Sequence, residues 1–70
     1  MTFQEASKHK MTFGKFVGEA VDKVASTDEG LKYLDWLTGN EWFFTRYPKD
    51  APAVTEYLAD ENIQEELENL

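Results

Sequence analysis

Apolar residues recur at helical spacing over most of this 70-residue chain and alternate with polar ones over a single short stretch. That stretch, Met11 to about Val21, turns around Gly14 and Gly18. It predicts a short β-hairpin in which the glycines supply the positive φ of a tight turn and Phe13 and Val21 point to the core. An isolated hairpin is marginal in water, so this one must pack on helices. Residues 1-10, Met1 to Lys10, are polar without sustained periodicity and read as a flexible arm.

The helical spacing begins with Val21 and Val24, three apart, which predict one helical turn ending before Ser26. Ser26-Thr27-Asp28-Glu29 fits a capping box, Ser26 at the N-cap and Glu29 reaching back, and opens a helix from about Thr27 to Thr38. Leu31, Leu34 and Leu37, joined by Tyr33 and Trp36, give it a wide apolar face, with Gly39 as a left-handed stop. Gly30 in the first turn costs up to about 1 kcal/mol relative to Ala and marks a close backbone approach. Glu41 to Tyr47 carries Trp42, Phe43, Phe44 and Tyr47 and stops at Pro48, as one short helical piece or an ordered loop. Asp50 caps a further helix, about Ala51 to Ala59, with Pro52 tolerated in its first turn and Val54, Tyr57 and Leu58 on one face. Ile63, Leu67 and Leu70 are out of phase with that face, which predicts a break near Asp60 to Asn62 and a separate acidic final helix. The expected fold class is therefore α+β: residues 11-70 form a single small domain, an N-terminal β-hairpin packed on three to four short helices.

A domain of this size lies near the lower limit for a self-sufficient core. Ten aromatic residues, each able to bury roughly 150–250 Å², offer a substitute for disulfides or metal. Cysteine is absent, which excludes a disulfide framework and thiolate metal sites and makes a reducing cytoplasm the expected location, that of a bacterial host for a phage-encoded chain. No signal-like or membrane-spanning apolar run is present, so no membrane association is expected. The net charge is −7, unevenly spread. Residues 1-23 are close to balanced, whereas from Asp50 onward there are seven acids and no base. Such a chain repels a phosphate backbone at long range, so nucleic-acid contact requires a local basic face.

The series Met11-x-Phe13-Gly14-Lys15-Phe16-x-Gly18, followed by Tyr33-Leu34-x-Trp36-Leu37, resembles the small module on the C-terminal side of exonuclease X-like proteins. It is similar also to a related family of short bacterial and phage proteins of unassigned function, whose usual pattern is FGKYKGK followed by YLxWL. The resemblance covers about Met11 to Leu58. It implies a small α+β module attached to nuclease or helicase-like proteins, or encoded alone, often by phages, with an accessory role around nucleic acid; the nuclease belongs to a separate domain. Where the family carries further lysines this chain has Val17 and Glu19, which weakens a phosphate-binding reading of the glycine turn.

Lys15 in that turn can offer its ammonium and neighbouring N–H groups to a phosphate, or be a solvated charge on glycines that serve turn geometry alone. Trp36, Trp42, Phe43, Phe44 and Tyr47 can build a stacking platform for single-stranded bases or simply fill the core, with Trp42 and Tyr47 the most exposed and Arg46 their cationic companion. His9, the sole histidine, sits between Lys8 and Lys10; it cannot anchor an ordinary zinc site and has no evident orienting partner for nucleophilic catalysis. Asp60, Glu61, Glu65, Glu66 and Glu68 lie in one terminal stretch, a solvated helix face or a phosphate-mimicking surface rather than a converging metal site.

These observations lead to a non-enzymatic accessory module, without cofactor or metal, associated with nucleic acid or a nucleic-acid-processing protein through Lys10, Lys15, Lys32, Trp42 and Arg46. The competing reading is an acidic protein-binding regulator or inhibitor whose Asp60, Glu61, Glu65, Glu66 and Glu68 occlude a basic surface of a nucleic-acid-processing or host-defence protein. A monomer or small homo-oligomer suits either.

Overall fold

The computed structural model describes all 70 residues and is helical throughout. Its elements are α1 (Phe3–Lys8), a 3₁₀ turn (Gly14–Phe16), α2 (Val21–Val24), α3 (Asp28–Thr38), α4 (Glu41–Arg46), α5 (Asp50–Leu58) and α6 (Glu61–Glu68). No helix is long and apolar enough to cross a membrane.

The α+β expectation is overturned. Only one antiparallel bridge forms, Lys10 with Ala20, framed by Val21 N–H to the His9 carbonyl at 2.8 Å and Met11 N–H to the Glu19 carbonyl at 2.9 Å. The ribbon goes no further. In this register the Thr12 N–H faces away from the partner segment, and it donates to the Asp50 carboxylate at 3.0 Å, which ties the chain to α5. Beyond it the chain curls into the 3₁₀ turn and returns through Gly18, whose N–H donates to the Met11 carbonyl at 2.8 Å. Gly14 (φ +78°) and Gly18 (φ +86°) do adopt the positive φ read from the sequence, but they bracket a helical curl rather than a hairpin turn.

Residues 1-10 are likewise not a free arm. Thr2 and Glu5 form a reciprocal capping box, Glu5 N–H to Thr2 Oγ1 at 3.2 Å and Thr2 N–H to Glu5 Oε1 at 3.0 Å. The helix so started buries Ala6 and stacks Phe3 on Tyr57 with ring centroids 4.9 Å apart. These contacts join α1 to α5, its principal neighbour.

The remaining helices follow the apolar spacing closely. α5 touches every other helix, and its buried Ala51 and Ala53 let those neighbours approach where larger side chains would hold them off. Val21, Val24, Leu34, Leu37, Phe43 and Val54 fill the centre around it. At the start of α3 the cap is Thr27, whose Oγ1 accepts from Gly30 N–H at 3.1 Å. Ser26 instead closes α2 by donating to the Lys23 carbonyl at 2.6 Å, so the expected Ser26–Glu29 box does not form. Gly39 ends α3 with φ −85°, not in the left-handed region. Asp60 caps α6, accepting from the N–H groups of Asn62 and Ile63 at 2.9 and 3.3 Å.

Candidate binding surface

The glycine loop and the ends of α3 and α4 bring their aromatic rings into one continuous run. Phe16 meets Tyr33 (centroids 5.3 Å), Tyr33 meets Trp36 (6.1 Å), and Trp36 meets Trp42 edge-on (5.9 Å). Trp42 stands edge-on to Phe13 and Tyr47, which are themselves stacked at 3.6 Å with planes 9° apart. The run is anchored from below by Phe43, fully buried and in contact with Phe13 and Trp42. Its outer members are open: Trp36 is 56% exposed and Trp42 37%.

Periodicity explains why this surface exists. At 3.6 residues per turn, Trp36 lies two residues and about 200° round α3 from Leu34, so a helix that buries Leu31, Leu34 and Leu37 must turn Trp36 outward. Of the residues expected in the core, Leu34 and Leu37 are fully buried, Phe13 is half-buried and Trp36 is in solvent.

Cations flank the ridge. Lys32 precedes Trp36 by four residues on α3, and Arg46 follows Trp42 by four on α4, the spacing at which helical side chains are neighbours. Both are exposed and neither lies within 4.0 Å of a carboxylate; the only basic side chains that do are His9, beside Asp50, and Lys15, beside Glu29. Lys15 reaches Glu29 at 2.8 Å and lies 5.7 Å from the Phe16 ring centroid. The Lys15 hydrogen bond and charge hold the Glu29 carboxyl below its ordinary pKa, but both partners are largely in solvent, where such a pair exchanges readily for another anion. Burial pushes the Tyr33 hydroxyl up. The Lys10 backbone pairs with Ala20 at the base of the loop, and its exposed side chain forms no ion pair.

The five C-terminal acids divide. Asp60 is occupied as the α6 cap, while Glu61, Glu65, Glu66 and Glu68 are exposed with no cation in pairing range. Glu65 and Glu66 line an open groove of about 640 Å³ between α6 and the start of α3, with Asp28 opposite and Leu31 and Leu70 among its lining.

Asp50 does not cap α5 as the sequence predicts: it is the first residue of the helix, the N-cap is Lys49 without a side-chain hydrogen bond, and the Asp50 carboxylate is used elsewhere. Asp50, fully buried, accepts from His9 Nε2 at 2.6 Å through Oδ1, and from Thr12 N–H and Oγ1 at 3.0 and 2.8 Å through Oδ2. His9 therefore does have an orienting carboxylate. The Thr12 hydroxyl donates to that carboxylate and not to the imidazole, which differs from the order of a nucleophile triad and makes the cluster a staple joining the α1–α2 connection to the first turn of α5. The pairing spans 41 residues of sequence, which local spacing does not reveal.

No protein-family model, curated protein or solved structure matches this chain. The likeness to exonuclease X-like modules rests on its two motifs alone.

Proposed function

We propose that this chain is a non-enzymatic accessory module that associates with nucleic acid, acting in a reducing cytoplasm and using the α3–α4 face rather than the glycine loop alone. The carrying observation is the exposed Trp36–Trp42 pair, flanked on its own helices by the unpaired cations Lys32 and Arg46. Aromatic surface interleaved with cations is what binds bases and phosphates together. The absence of cysteine supports the compartment.

The test is titration of labelled oligonucleotides, single-stranded and duplex, at about 50 mM salt and then at rising salt. Neutralising about three phosphates, by Lys15, Lys32 and Arg46, gives a log–log slope of about −2. Absence of binding to either form at low salt overturns the reading.

The exposed, unpaired carboxylates of α6 favour a second reading, a regulator that covers a basic protein surface. Capture from a bacterial lysate that survives nuclease treatment, and is lost when Glu61, Glu65, Glu66 and Glu68 are changed to Gln, supports it. Substitution is preferable to truncation after Ala59, because Ile63 and Leu67 of α6 pack on the core.

A further inference from the structure

We infer that the nucleic acid this surface takes is single-stranded, with unpaired bases stacking on Trp36 and Trp42 and the sugar-phosphate backbone held between Lys32 and Arg46. The inference rests on the nucleic-acid reading above and narrows it to a ligand class.

Charge separates the two forms of nucleic acid. A duplex presents one phosphate charge per roughly 1.7 Å of axis, twice the density of either strand, and a protein of net charge −7 needs a broad basic face to approach it. The α3–α4 face offers none: α3 carries one cation, Lys32, against Asp28, Glu29 and Asp35, and α4 carries one, Arg46, against Glu41. Neither short helix has the row of basic and polar side chains that enters a groove and reads base edges.

The geometry instead suits a strand whose bases are splayed out. Only unpaired bases offer faces to an aromatic side chain. Lys32 and Trp36 are i, i+4 neighbours on α3, Trp42 and Arg46 on α4, and the two indoles meet with centroids 5.9 Å apart. Each ring thus has a cation one helical turn away on its own helix. Those cations can hold phosphates while unpaired bases stack on the rings. Lys15 adds a third cation beyond Tyr33 on release of Glu29.

The experiment uses the full chain, a thymidine oligonucleotide of about 16 residues and a duplex of equal length, at about 50 mM salt, read by anisotropy and by intrinsic tryptophan fluorescence; the length reaches the upper end of single-strand site sizes, about 4–16 nucleotides. Expected are tryptophan quenching and at least 10-fold tighter binding of the single strand. Trp36→Ala, an exposed position, should weaken it roughly 10-fold or more while the thermal melt is retained. Lys32→Gln with Arg46→Gln should weaken it and flatten the salt slope. Equal or tighter binding of the duplex, or single-strand binding indifferent to Trp36→Ala, overturns the inference and leaves the broader proposal standing. No binding of either form removes both. Concentration-dependent association of the chain with itself that Trp36→Ala abolishes assigns the face to a second copy and also overturns the inference.

Discussion

At the scale of single residues, two glycines at opposite ends of α3, Gly30 in its first turn and Gly39 at its C-cap, should respond to alanine with opposite signs. A Cβ on Gly30 would stand 1.7 Å from the Val24 carbonyl oxygen and 2.8 Å from its carbon, backbone atoms that move only if α2 and α3 part. The better helix propensity of Ala, about 1 kcal/mol, cannot offset that overlap, and Gly30→Ala is expected to destabilise by about 3 kcal/mol or more. At Gly39 the nearest atom to an added Cβ is the Trp36 carbonyl oxygen at 3.4 Å, and φ is −85°; Gly39→Ala should stabilise by roughly 0.5 kcal/mol by restricting the unfolded chain. Urea unfolding of the two variants checks both signs, and a stabilising Gly30→Ala would remove the close α2–α3 approach. Asp50 gives a different residue-scale test. Its carboxylate is fully buried and accepts three hydrogen bonds, so Asp50→Ala strands the Thr12 donors and the His9 ring and is expected to cost on the order of 3 kcal/mol. A loss below about 0.5 kcal/mol, the range of ordinary surface changes, would show that the staple does not hold α1 to α5.

At the scale of elements, the fold is legible in the sequence wherever one helix face decides the matter. α2, α3 and α5 fall within a residue or so of their expected positions because valines and leucines three and four apart are readily buried by a helix, and α6 is present as a separate helix although it starts at Glu61, inside the stretch expected as a break. The loop is not legible because Gly14 and Gly18 signal positive φ without saying which turn uses it, and the carboxylate that holds Thr12 comes from Asp50, 38 residues away. The signal for α1 was present in Thr2-x-x-Glu5, but it precedes a segment with little apolar spacing, so its burial against Tyr57 depends on tertiary contact. For the candidate surface, Trp42 and Arg46 were legible as a pair, while Trp36 was masked by its place among leucines until its angle round the helix is counted. Tyr57 reports on the α1–α5–α6 junction. Burial is the main cause that raises its hydroxyl pKa, with Asp22, Glu66 and Asp60 adding to it, and burial likewise raises that of Tyr33. A folded pKa above the unfolded value of about 10 means stability that is full below that pH and lost as pH rises through the folded value. Stability should therefore fall above about pH 10, and Tyr57→Phe should flatten the fall; an unchanged alkaline limb in denaturant titrations against pH would show that the junction opens before the hydroxyl ionises.

At the scale of the whole molecule, stability and binding should respond to salt in opposite directions. The chain packs 14 acids and seven bases into 30 × 22 × 19 Å, and the seven acids from Asp50 onward have no base among them. At 0.01 M salt the screening length of about 30 Å spans the folded body, so these charges all repel one another; near 0.1 M it falls to about 10 Å and only neighbours do. The unfolded chain spreads the same charges further apart, so screening relieves the folded state more. Raising salt from about 10 to 300 mM should thus lift the thermal midpoint by several degrees, since 1 kcal/mol corresponds to about 4–8 °C in a domain of this length. The same change should weaken oligonucleotide binding, because phosphate contacts release counterions. Melts and titrations on one salt series separate the contributions. A midpoint that falls with salt would mean that the Lys15–Glu29 ion pair outweighs the net repulsion. In that case replacing the unpaired carboxylates of α6 with glutamine would leave the midpoint unmoved at low salt, whereas dominant repulsion requires the substitution to raise it and to remove most of its salt dependence.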